Sequence, residues 1–162
     1  MVRLYNTRTR QVEELRPRSP DGVRVYCCGP TTYDVSHAGH GRTAMLPDLL
    51  VRHLRAAGQK VVYARNITDV EDKIVKRSLE RGQHPLALSA HFADLYIEDL
   101  ATLGCVPPDH QPRVSECIPA IVELIAKLIE KGAAYATPGL HGEDVWFSIK
   151  SFPTYGCLSR RP

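Results

Sequence analysis

The chain has 162 residues, 43% of them hydrophobic, and a formal net charge of +3. That length allows one domain, or one domain and a fragment of a second, with a real core, and the charge is too mild to argue for nucleic acid by itself. There is no apolar run of the roughly 18 residues that a membrane span needs, the start Met1-Val2-Arg3-Leu4 lacks the apolar core of a signal peptide, and five cysteines without a CxxC pair fit a reducing cytoplasm.

In chain order, Leu4 to Leu15 reads as an extended arm and Pro17 to Gly22 as a turn region. Val23 to Cys28 is a strand. Met45, Leu46, Leu49, Leu50, Leu54 and Ala57 fall at helical spacing, so a helix follows His40 and stops at Gly58, a usual C-cap residue. Pro47 inside it removes a backbone donor and predicts a kink or a separate first turn. Lys60 to Arg65 is the next strand, and strand–helix–strand defaults to a right-handed parallel crossover. Thr68 and Glu71 form a capping-box pattern for a helix to about Arg81. A second helix runs from Pro85 to Leu103, and the proline-rich stretch from Cys105 to Pro112 is a connector. Ser115 caps a further helix that ends at Gly132. Val145 to Ile149 is a strand, paired with Ala134-Tyr135-Ala136, and the tail from Pro153 is irregular. The expected fold is α/β, a partial Rossmann-like parallel sheet with flanking helices, in residues 1–112, with an inserted module beginning at 113–162.

Between the first strand and the first long helix lies Gly29-Pro30-Thr31-Thr32-Tyr33-Asp34-Val35-Ser36-His37-Ala38-Gly39-His40. A helix N-terminus attracts anions, and two imidazoles there can hold phosphate oxygens while charge moves. Gly39 would let a flat base approach the backbone. Taken alone, His37 and His40 also read as surface or capping histidines; the strand before, the helix after and a second block favour the anion site. That block, Asn66 to Asp69, ends the next strand, so the two motifs should meet at one crevice beyond the strand ends. Cys28 alone reads as a small buried residue, Cys27 as core, Thr31 as turn chemistry, Thr68 as a cap, and Asn66 and Asp69 as loop-shaping. Lys73 with Arg77, and Arg160 with Arg161, read as solvated charges. His53, His84, His91, His110 and His141 read as solvent-facing or capping.

Tyr26-x-Cys28-Gly29-x-Thr31-x-Tyr33-Asp34, His37-Ala38-Gly39-His40-Gly41-Arg42-Thr43 and Arg65-Asn66-Ile67-Thr68-Asp69-Val70-Glu71-Asp72-Lys73-Ile74 together resemble the class I cysteinyl-tRNA synthetases. Leu4-Tyr5-Asn6-Thr7, Pro112-Arg113 and Thr154-Tyr155-Gly156-x-Leu158-Ser159 extend the likeness along the chain, but only over the front part of such an enzyme. The resemblance implies ATP-dependent activation of L-cysteine and transfer to tRNA(Cys), without a membrane. His37 and His40 would be catalytic, and His37, Gly39 and His40 would bind ATP. Cys28, Gly29, Thr31 and Thr68 would bind cysteine, and Cys28 would ligate a Zn2+ whose other ligands lie beyond Pro162. A soft thiolate on zinc selects cysteine over serine without editing.

The family's Lys-Met-Ser-Lys-Ser type loop is missing from the sequence. The chain is therefore expected to be part of a longer enzyme, a truncated product or a paralogue, without a complete aminoacylation cycle. Competing readings are a cysteine ligase of the mycothiol type, a non-catalytic binding module and a small nucleotidyltransferase. Gly41-Arg42-Thr43 and Asp72-Lys73-Ile74 favour the synthetase over the first, and Cys28 with the second block argues against the last.

Overall fold

The computed structural model describes residues 2–140 and 142–160, so His141 and Arg161 lie outside the described residues. The chain divides into two compact units, Arg16–Cys117 and Met1–Leu15 with Ile118–Pro162.

The N-terminal segment folds back on itself. Strands β1 (Arg3–Asn6) and β2 (Gln11–Glu14) form an antiparallel hairpin in register Tyr5 with Val12, in place of the expected single arm. Asn6 makes the reversal: its carbonyl accepts from Arg10 N–H at 2.7 Å and its side-chain oxygen accepts from Arg8 N–H at 3.0 Å. Arg10 takes the left-handed region at φ 59°, a turn signal that Asn supplies without a neighbouring glycine.

In the larger unit, β3 (Val23–Cys27) and β4 (Val61–Arg65) pair in parallel across α1 (Ala38–Ala56). The helix begins before the second histidine, so Gly39 and His40 lie in its first turn rather than ahead of it, and it runs unbroken through Pro47. Gly58, at φ +76°, follows its end. Val51 and Leu54 of α1 and Tyr63 of β4 are fully buried, the seam expected between an amphipathic helix and a parallel sheet.

Two capping expectations fail. α2 (Asp72–Arg81) is capped by Glu71, whose carboxylate accepts from Lys73 N–H at 2.6 Å, not by Thr68. Thr68 instead pairs with Thr31 as an extension of the sheet. Ser115 opens a short 3-10 turn, Ser115–Cys117, and gives both its N–H (2.9 Å) and its hydroxyl (2.5 Å) to the Asp69 carboxylate. In both places a long-range partner outcompetes the local cap that the spacing suggests.

Helix α3 (Pro85–Thr102) packs on α2 through Ile74, Leu88 and Phe92, and on α1 through Ala44, Tyr96 and Leu100. The connector after it is a third sheet edge rather than a free loop. His110 bridges Ala64 and Arg113 bridges Ile67, both in parallel, with Arg65 N–H donating to the His110 carbonyl at 3.0 Å. This makes β4 the central strand. In the smaller unit, α4 (Ile118–Glu130) precedes β5 (Ala134–Gly139) and β6 (Gly142–Phe147), which pair as expected and run antiparallel with Ala136 opposite Val145.

Candidate nucleotide and amino-acid site

The connection from β3 to α1 is laid against the residues that follow β4. Gly29 N–H donates to the Asn66 side-chain oxygen at 2.8 Å. Thr68 N–H donates to the Pro30 carbonyl at 3.0 Å, and Thr32 N–H donates to the Thr68 carbonyl at 3.2 Å. A Cβ on Gly29 would sit 1.6 Å from the Asn66 carbonyl oxygen, so only glycine admits this approach. Cys28, Gly29, Thr31, Asn66 and Thr68 are thereby gathered beyond the C-terminal ends of two parallel strands, where α/β sheets bind ligands. Asn66 holds Gly29 and donates to the Thr68 hydroxyl at 3.2 Å, and buried Asp69 holds Ser115.

The two histidines make a reciprocal cap. Nδ1 of His37 accepts from Gly39 N–H, and Nδ1 of His40 accepts from His37 N–H, each at 3.1 Å. The rings lie 4.1 Å apart between centroids. A Cβ on Gly39 would come within 2.8 Å of the His37 ring, so the missing side chain first makes room for that imidazole. With Nδ1 used as acceptor in both rings, the neutral forms carry their proton on Nε2. Burial, with His37 adding to it, lowers the His40 pKa and favours its neutral form. The N–H groups of His37, Gly39 and His40 are engaged within the turn itself. Anion attraction at this helix end thus falls to the two Nε2–H donors and the helix dipole. No acidic residue stands in the first turn to oppose it.

His37 and His40 line a cavity of about 350 Å³ with Thr31, Tyr33, Phe92 and Tyr96. They also border a larger groove of about 790 Å³, whose apolar wall is Met45, Leu46, Leu49 and Leu103. Thr31 therefore connects the histidine side to the threonine pair, whereas Cys28, Gly29 and Thr68 do not line either space. Behind the site, Arg65 is buried at 1% exposure. It donates to the hydroxyls of Tyr63 and Tyr96 and to the Ala44 carbonyl, and its Nε has no hydrogen-bond partner among the described residues. Those tyrosines and Cys27 raise its pKa against the opposing effect of burial. Cys27 is half-buried, and burial pushes its thiol up.

Cys28 is an exposed free thiol. Among the described residues no group of three or more His, Cys, Asp or Glu side chains could hold a metal ion. Zinc takes about four ligands, so the donors here do not make a zinc site by themselves. His53, His84, His91 and His110 are exposed, as expected. Arg77 is not a simple solvated charge. It pairs with Asp34 of the histidine loop and with Glu80 at 3.1 Å, while Lys73 stands 5.9 Å over the Tyr33 ring. The sequence gives no periodic signal for a pair 43 positions apart. Buried Ser89, bonded to Thr32, is equally silent, being one small residue on an apolar helix face.

Residues 14–162 match the family model for tRNA synthetases class I (C) catalytic domain. A cysteine–tRNA ligase of Anaeromyxobacter sp. (strain K) is 51% identical over 99% of this chain and 33% of its own length. One from Methylococcus capsulatus is 48% identical over 98% and 34%, and the cytoplasmic cysteine–tRNA ligase 2 of Arabidopsis thaliana is 46% identical over 98% and 30%. The chain thus spans about a third of the length of these curated relatives. A solved LeuRS from Agrobacterium radiobacter K84, in its ternary complex with tRNA and LeuAMS, matches 76% of this chain and 16% of its own. Its TM-score is 0.64 and its identity 23%, a likeness of fold alone, which agrees with the expected partial α/β fold.

Proposed function

The chain belongs to the class I tRNA synthetase (C) catalytic-domain family, and from that premise we propose that it forms the ATP and cysteine side of a cysteine-activating site. In that reaction a carboxylate oxygen of L-cysteine attacks the α-phosphorus of ATP. The bond to pyrophosphate breaks, and cysteinyl-adenylate forms for transfer to tRNA(Cys). Little proton transfer is needed, so positioning and electrostatics dominate. His37 and His40 offer neutral Nε2–H donors to the phosphate oxygens on which charge builds, and Gly39 lies between them. Gly29, Thr31 and Thr68 face the amino acid, with Thr31 adjoining the histidine cavity. Cys28 would be one thiolate ligand of a zinc that selects a thiol over a hydroxyl; its other ligands are not grouped with it among the described residues. Residues 1–112 would be the first half of the nucleotide-binding domain and 113–162 the start of an inserted module. All five cysteines are free thiols, which supports a cytoplasmic setting.

The observation that carries this reading is the convergence of Gly29 to Thr32 with Asn66 to Thr68 beside the reciprocal histidine cap. ATP titration of the chain by calorimetry tests it. Binding should weaken by about tenfold or more in His40→Ala, as for loss of one preorganised donor. Equal binding by the variant overturns the assignment. A second reading, a binding module without catalysis, is favoured by the lone Cys28 donor: it gives ATP binding without cysteine-dependent pyrophosphate exchange.

A further inference from the structure

The loop that delivers His37 is fixed at two depths. Its first half, through Thr32, is held by Asn66, Thr68 and Ser89. From Tyr33 to Ser36 the backbone bonds are local: Tyr33 N–H to the Thr31 carbonyl at 3.2 Å, and Val35 N–H to the Asp34 carboxylate at 3.0 Å. Among the described residues, the one long-range hydrogen-bonded tie on this half is the Asp34 carboxylate, gripped by Arg77 and, at 3.5 Å, by Arg81 of α2.

Both arginines are themselves braced. Glu80 holds the other end of the Arg77 guanidinium at 3.1 Å, and Arg81 lies 5.1 Å over the ring of Phe92, which lines the histidine cavity. The Arg77 Nε is shielded and has no hydrogen-bond partner among the described residues, which carries some desolvation cost. Asp34 and Arg77 are each about one-third exposed, so the pair is only partly screened by water. The Val35 N–H and the flanking arginines hold the Asp34 carboxyl below the usual carboxylate range, and Asp34 with Glu80 raises the Arg77 pKa. Both stay charged at neutral pH.

We propose that Arg77 is a positioning residue: through Asp34 it fixes the Tyr33–Ser36 half of the loop and so sets the ring of His37 at the start of α1. Arg77 does not line the cavity that His37 lines; it acts through the loop. The consequence for nucleotide binding rests on the reading above, but the geometric claim does not.

The test is imidazole nitrogen NMR on the 162-residue chain, with ATP titrations of the same samples. The parent is expected to show His37 protonated on Nε2, since its Nδ1 accepts from Gly39 N–H. In Arg77→Ala, the Nδ1–H form of His37 should grow to a substantial share while exposed His91 on α3 is unchanged, and ATP affinity should fall about fivefold, the scale of one partly shielded ion pair. Arg77→Lys, which keeps the charge and one donor, should restore the parent signature. An unchanged His37 signal in folded Arg77→Ala, or a Lys variant no better than Ala, overturns the proposal. Should Arg77→Ala fail to fold, the His37 tautomer in Asp34→Asn decides, because that variant keeps the acceptor for Val35 N–H and removes the pairs with Arg77 and Arg81; ATP affinity is not read there, since Asp34 itself lines the cavity. A parent chain that binds no ATP strikes at the nucleotide reading and leaves the tautomer result to judge Arg77.

Discussion

His40 ties local chemistry to acidity. Its pKa is lowered by burial and by His37, and its Nδ1 accepts the His37 N–H. Protonating Nδ1 destroys that bond. A histidine with a depressed folded pKa stabilises the fold fully above its unfolded value, about 6.5, and loses that contribution as pH falls through the lower folded value. The difference in denaturation midpoint between the parent and His40→Ala should therefore shrink from neutral pH to about pH 5; a difference that grows on acidification would contradict the cap. The histidines stood out in the sequence, and their flanks pointed to a helix start. Their mutual bonding did not, because His is not among the usual capping residues and nothing in the spacing says which nitrogen faces inward. Thr68 and Ser115 mislead for the opposite reason. Both types favour caps, and here each is drawn to a distant partner.

At the scale of elements, the parallel pair β3–β4 and the helices α1 to α3 follow from apolar spacing and their glycine stops, with ends within a few residues of expectation. What periodicity misses is whatever depends on two chain segments meeting. The β1–β2 hairpin, the parallel run of residues 110–113 beside β4 and the Asp34–Arg77 tie all belong to that class. The crevice itself was legible in outline, since two motifs at the ends of adjacent parallel strands must be neighbours. Its closest approach supplies a test: Gly29→Ala puts a methyl group into the Asn66 carbonyl. That should force the two loops apart and cost about 1–3 kcal/mol, as overpacking does. Chemical denaturation measures it, and a shift below a few tenths would show that the loops yield freely.

Over the whole molecule the core is unevenly shared. Among the described residues, twelve of the thirteen buried hydrophobic side chains lie from Val23 to Leu100, and Ala134 is the other. α4 contributes no buried residue, and Val145, Trp146 and Phe147 of β6 are exposed. Local stability follows buried apolar contact. Native-state hydrogen exchange should find the β6 amides on the order of a hundredfold or more faster than those of β4. Equal protection would mean that the two units open together. This asymmetry was partly hidden in the sequence, where Ile118, Ile121, Val122, Ile125, Leu128 and Ile129 look as core-forming as any stripe in the chain. Pattern reports which face of a helix is apolar, not what covers it. No helix of the described residues is long and apolar enough to cross a membrane.

The reciprocal cap gives each imidazole two jobs on opposite sides of one ring: Nδ1 builds the turn, and Nε2 is left for whatever enters the cavity. Amide side chains can pull these jobs apart. Asparagine at position 37 places an oxygen where Nδ1 stands and is itself a favoured helix cap, so His37→Asn should keep the architecture while erasing the outward donor. Glutamine reaches as far as Nε2 but forfeits the short-range cap. The pair of replacements separates the scaffold from the outward donor, and lets any loss of ligand affinity be read without loss of fold.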